Sequence, residues 1–167
     1  GIRFRITTIC TIRNYNRWVN RYLRKAMQVF IVGSPMQTAM ALDALRLNKQ
    51  IVECDQILAA LDGTKAWSNH PCVLQYRGYE KWLRHYRDCL SFYERGHYNL
   101  AEIESPYAAT CHPVEWHTNE YYEQMKRRLH TKDPKYYAVW SYLGTSDENW
   151  YFVDGEWRKY VNGKRVE

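Results

Sequence analysis

The sequence predicts a mainly helical domain closed by a small C-terminal antiparallel β-meander, with a candidate strand at its N-terminus. Three observations lead there. Apolar residues recur at helical spacing through 35–61, 71–94 and 117–130. The period then shortens to two at Trp150-Tyr151-Phe152-Val153. Two turn pairs, Asp154-Gly155 and Asn162-Gly163, punctuate the C-terminal segment, and such pairs favour the type I′ turn of a hairpin.

Taken in order, residues 2–13 alternate Ile2, Phe4 and Ile6 with Arg3, Arg5 and Thr7, a strand pattern. Asn14 or Asn16 can cap a short helix over 16–25. Met27 to Val32 reads as the start of a domain, and Gly33-Ser34-Pro35 as a turn with Ser34 at the N-cap and Pro35 at the first helical position. One helix is expected from 35 to 61, with a stripe of Ala41, Leu42, Leu45, Val52, Ile57, Leu58 and Leu61, ended by Asp62-Gly63. Trp67-Ser68-Asn69-His70-Pro71 is a turn in which Pro71 forces His70 out of the helical region. A helix over 71–94 buries Leu74, Tyr79, Trp82, Leu83, Tyr86, Cys89, Leu90 and Tyr93. A third covers 117–130, and a short one comes after Asp133-Pro134. The organisation expected is a basic arm or non-native extension over 1–26, a helical domain over 27–145 and a β appendage over 146–167.

Charge sharpens that division. The net is +6, and residues 1–26 hold seven basic groups and no acid, leaving 17 basic and 18 acidic groups in the rest, a balance of −1. The arm suits phosphate contacts, and the body must bind any polyanion through a local patch. The 15 Tyr and 7 Trp serve packing and stacking alike. Cys10, Cys54, Cys72, Cys89 and Cys111 are odd in number and form no Cys-x-x-Cys pair, so free thiols in a reducing, cytoplasmic setting are expected. Cys111, His112 and His117 fit no standard zinc spacing, and neither metal nor cofactor is expected. No apolar run reaches membrane-spanning length.

Two segments carry chemistry. Lys49, Glu53 and Gln56 share a face of the helix over 35–61, with Arg46 and Gln50 beside them, and could place a carboxylate among cations for work on a sugar-phosphate substrate. The plainer reading of Lys49 and Glu53 is a solvated surface pair. The Trp67–Pro71 turn offers an aromatic face, an amide and an imidazole; taken singly, His70 is a turn-stabilising residue and Trp67 a core residue.

The set Leu42, Arg46-Leu47, Lys49-Gln50, Val52-Glu53 and Gln56-Ile57-Leu58, then Trp67-x-Asn69-His70-Pro71, then Gly78-Tyr79-x-x-Trp82-Leu83, then Lys132-Asp133-Pro134-x-Tyr136-Tyr137, resembles the pyrimidine-dimer DNA glycosylases related to phage endonuclease V. The resemblance runs from Met27 to about Trp140. It implies a mostly helical enzyme of DNA repair that flips a nucleotide out of double-stranded DNA bearing a damaged or modified base. In such enzymes the free N-terminal amine attacks the deoxyribose C1′ to form a Schiff base, and a helix glutamate supports glycosyl cleavage and strand scission. Carried over by position, the resemblance implies Glu53, or Gln50 one turn earlier, for the glutamate, Met27 for the amine-bearing residue, and His70 as a further catalytic residue in the pocket. It implies Arg46, Lys49, Gln56, Trp67, Asn69 and Lys132 for DNA contacts. Here the Met27 nitrogen lies inside a peptide bond, so with residues 1–26 retained Lys49 or another amine has to replace it.

Two other readings compete with a glycosylase/abasic-site lyase. One is a catalytically inactive nucleic-acid-binding module of the same fold. The other is a pocket protein that holds a nucleotide or modified base through Trp67, Asn69 and His70.

Overall fold

Met27 to Ile31 run through the centre of the core without regular secondary structure, all of them buried. The computed structural model describes residues 27–63, 68–96 and 105–166. The strand expected over 2–13 and the helix over 16–25 lie outside them.

A buried irregular segment must have its backbone groups bonded by something other than a ladder. Side chains do this here. Tyr151, Tyr121 and Tyr86 donate their hydroxyls to the carbonyls of Met27, Val29 and Phe30 at 2.6, 2.9 and 2.9 Å. Gln50 Oε1 accepts the Phe30 N–H at 3.0 Å while Gln50 Nε2 donates to the Gln28 carbonyl at 3.1 Å. The Gln28 amide accepts the Trp150 N–H and donates to the Trp150 carbonyl, at 3.0 and 3.1 Å. Thr38 Oγ1 accepts the Val32 N–H.

Helix α1, Pro35–Ala41, starts as expected: Ser34 caps the Gln37 N–H and the Gln37 side chain reaches back to the Ser34 N–H, a capping box with Pro35 inside it. The single helix expected over 35–61 is two. Leu42 and Asp43 are extended, and α2 restarts at Ala44–Leu61. The break is held by Tyr137, whose hydroxyl meets both the Asp43 N–H and its carboxylate. The interruption rotates the second helix, which corrects the expected stripe. Leu45 and Val52 are exposed, and the buried face is Leu47, Gln50, Cys54, Ile57, Leu58 and Ala60.

The helix expected over 71–94 is also divided, into α3, Pro71–Leu74, and α4, Glu80–Glu94. Gly78, at φ +90°, lies between them and adopts a backbone that side-chain-bearing residues avoid. Helix α4 buries Trp82, Leu83, Tyr86, Cys89 and Leu90 and packs along α2.

Helix α5, Asn119–Lys132, is capped by Thr118. The short helix expected after Asp133-Pro134 is a turn leading into a 3₁₀ helix, Ala138–Leu143. Strands β1, Asn149–Val153, β2, Glu156–Val161, and β3, Lys164–Arg165, then form the antiparallel meander in that order. Asp154 and Gly155 have φ of +54° and +77°, and Asn162 and Gly163 +49° and +76°. Positive φ at both central positions is the type I′ geometry that these pairs predict. One hydrophobic core contains Val29 and Ile31, α2 and α4 residues, and Trp150, Tyr151 and Val153 of β1.

Candidate functional site

Gln50 and Glu53 are three residues apart on α2, one buried and the other at the edge of the core. Gln50 Nε2 donates to Glu53 Oε2 at 2.7 Å. The same amide group carries the Phe30 N–H, the Gln28 carbonyl and the Tyr86 hydroxyl. Glu53 is thus attached, through one side chain, to the segment that begins at Met27.

Burial pushes the Glu53 carboxyl up to about 8, against the opposing pull of Lys132, Lys49 and the Gln50 hydrogen bond. Its side chain keeps a little accessible surface, but the carboxyl has few solvent contacts to stabilise its charge. A carboxylic acid protonated near neutral pH can donate a proton to a leaving group. Lys132 is the last residue of α5, and its Nζ lies 5.9 Å from the centre of the Phe30 ring. Desolvation lowers the pKa of its ammonium, as do Arg128, Arg46 and Lys49, while Glu53 opposes them. Much of the Lys132 side chain remains open to solvent.

Met27 is 1% exposed, with its carbonyl held by Tyr151. The Tyr151 ring meets the edge of His70 at 5.7 Å between centroids. His70 has the extended backbone that Pro71 demands, and its Nδ1 accepts the Cys72 N–H at 3.0 Å as the N-cap of α3. Its Nε2 therefore carries the proton of the neutral ring, and burial lowers its pKa. Arg128, 9% exposed, donates to the Ser146 carbonyl and the Asn149 side chain, while its Nε is buried without a partner.

The expected residues divide. Gln50 holds Glu53 and the Phe30 N–H, Lys132 lies over the Phe30 ring, Lys49 acts electrostatically on Glu53, and Met27 is bonded to Tyr151. His70 joins through Tyr151. Arg46 is already engaged: it pairs with Asp43 at 3.1 Å and its guanidinium lies 5.9 Å from the Tyr137 ring centre. Gln56 has its Oε1 buried without a hydrogen bond, and Asn69 is exposed. Trp67 lies outside the described residues. Among the described residues no three His, Cys, Asp or Glu converge to hold a metal. A cleft of about 360 Å³ lined by Gln75, Arg77, Tyr79, Trp116 and Phe152 includes none of the expected residues.

Sequence reasoning missed Tyr151, Tyr121, Tyr86, Arg128 and Gln28. The abundance of tyrosine was visible, but not its use as a set of hydroxyl donors to one buried segment.

Comparison with known families bears on the α2 end of this arrangement. Residues 27–100 match the family model for pyrimidine dimer DNA glycosylase. That stretch is similar to the family, and the match starts at the residue where the buried segment begins. It takes in Met27, Gln50, Glu53 and His70 and stops before α5, so Lys132, Arg128 and Tyr151 come from outside the family-like stretch. Neither the curated proteins nor the solved structures gave a match. Among the described residues no helix is long and apolar enough to cross a membrane.

Proposed function

We propose that this protein is a DNA glycosylase with abasic-site lyase activity, acting on a damaged or modified base in double-stranded DNA, with Glu53 as its acid–base group. The observation that carries the reading is the Glu53 carboxyl. It is fixed by Gln50 and raised to about 8 by burial, against the opposing charges of Lys132 and Lys49. A departing base needs a proton, and the sugar-phosphate strand needs positive charge around it. Both requirements meet at this carboxyl. The match to the pyrimidine dimer DNA glycosylase family over 27–100 supports the same substrate class. The base has to leave the stack to reach such a carboxyl, at a cost of a few kcal/mol that damage reduces.

The test is a duplex carrying a single pyrimidine dimer, set beside an undamaged duplex and one with an abasic site. Glycosyl cleavage or strand scission confined to the lesion duplexes, and lost in Glu53→Gln, is the expected result. Uncut lesion DNA under all conditions would overturn the reading.

A second reading, a catalytically inactive nucleic-acid- or nucleotide-binding module, is favoured by one observation. Met27 is buried and its nitrogen is an amide, so it has no free amine to attack C1′. That reading expects salt-sensitive binding to duplex DNA with no cleavage.

A further inference from the structure

The glycosylase reading leaves one role unfilled, that of the nucleophilic amine, and a lysine from another element lies over the Phe30 ring and acts electrostatically on the acid. We propose that Lys132 supplies this amine, attacking C1′ of the target nucleotide while Glu53 manages the protons. The proposal rests on the glycosylase reading.

The two groups come from different elements. Glu53 projects from the middle of α2, and Lys132 from the last position of α5. Past Lys132 the chain leaves the helix: Asp133 takes φ −145° and ψ 82°, with its N–H bonded to the Leu129 carbonyl. The ammonium lies over the Phe30 ring, whose own N–H is held by Gln50, and Gln50 also holds Glu53. One glutamine thus connects the floor beneath the amine to the acid. Among the described residues no ion pair within 4 Å ties Lys132 to a carboxylate, so its nitrogen is not sequestered. Much of its side chain is accessible, whereas Met27 is 1% exposed and acylated. The charged groups around it are Arg128 on α5 and Arg46, Lys49 and Glu53 on α2. Desolvation and these three cations hold its pKa below the ordinary ammonium value, against the opposing Glu53 charge, which eases loss of the proton before attack.

The chemistry balances with water as the sole co-reactant. Lys132 first loses its ammonium proton to water; its nitrogen then forms a bond to C1′ as the C1′–base bond breaks, and the departing base takes the Glu53 proton. Glu53, now a carboxylate, removes a proton from the alkylated nitrogen and passes it to O4′ as the C1′–O4′ bond opens, leaving a protonated imine. Glu53 next removes a C2′ proton, the electron pair shifts, and the 3′-phosphate leaves. Water then hydrolyses the imine and frees the amine. At an existing abasic site the aldehyde condenses with Lys132 directly, releasing water.

The test uses the full chain, an abasic-site duplex and borohydride, followed by proteolysis and mass mapping of the trapped adduct. The adduct is expected on the peptide carrying Lys132. Lys132→Arg, which keeps the charge, is expected to lose the adduct while still binding the abasic duplex. Because mapping is done on the unaltered protein, a folding defect in the variant leaves the answer intact. An adduct on Lys49 or on the chain's own N-terminal amine overturns the proposal. Base release by the unaltered protein with no trapped adduct overturns it too, while leaving the glycosylase reading in place. Loss of both adduct and base release overturns the two together.

Discussion

Gln50 Nε2 donates to Glu53 Oε2 at 2.7 Å while its own amide group holds the backbone of Gln28 and Phe30. The acid of the candidate site and the buried segment beneath it share one support. Replacing Gln50 by Leu would leave the Phe30 N–H and the Gln28 carbonyl buried without partners. The expected loss is about 2–6 kcal/mol, since each of the two orphaned groups costs roughly 1–3. Urea denaturation measures it, and a loss below about 1 kcal/mol would mean that water replaces the amide.

Glu53 gives the molecule a pH dependence of definite sign. Its pKa in the folded protein is about 8, against an ordinary carboxyl value of 4.5. Between those values the folded state holds a proton that the unfolded state has released. Stability therefore falls as pH rises from about 4.5 to about 8, by on the order of a few kcal/mol, and levels off above. Glu53→Gln removes the ionisation and is expected to flatten the slope. Unfolding measured in steps from about pH 5 to about pH 9 would show it. Activity that depends on the protonated acid should hold through neutral pH and decline as pH passes about 8.

His70 contributes in the opposite sense. Burial lowers its pKa, so acid that protonates the unfolded chain below about 6.5 weakens the fold. His70→Ala also removes the acceptor for the Cys72 N–H, an N-cap worth about 1 kcal/mol. His70→Asn restores an acceptor and is expected to recover most of the loss at about pH 8. It should also reduce the acid sensitivity. It does not abolish that sensitivity, because burial lowers His85 and also His117, the latter to about 3. Melting curves at about pH 5 and about pH 8 separate the cap from the charge.

Tyr151→Phe keeps the ring against His70 and Tyr160 but removes the hydroxyl that reaches the Met27 carbonyl. The expected cost is about 1–2 kcal/mol. Amide exchange should rise at residues 28–30 before it rises on α4. Unchanged exchange there would show that the hydroxyl is not what holds the segment.

The sequence made the helical class, the Ser34-Pro35 start and both type I′ turns legible, because those are decided by neighbours in the chain. It did not reveal the interruption at Leu42–Asp43, which depends on Tyr137, 94 residues away. Missing that break put Leu45 and Val52 on the wrong face and obscured Gln50 as a core residue. Glu53, Lys49 and Lys132 were legible as types of group. That Lys132 stands above Phe30, or that β1 supplies a tyrosine to Met27, comes only from tertiary contacts. His70 caps α3 through its Nδ1, the turn-stabilising role expected of it taken singly.

The contacts between Gln28 and Trp150 and between Met27 and Tyr151 span 122 and 124 positions. During synthesis the first residues of this segment therefore emerge from the ribosome long before the strand that anchors them. Pairing that distant in sequence forms late and slowly. A growing chain stopped between α2 and β1 holds Gln50 and Glu53 without the tyrosine and tryptophan that fix the floor below them, so the candidate site matures only when β1 is made.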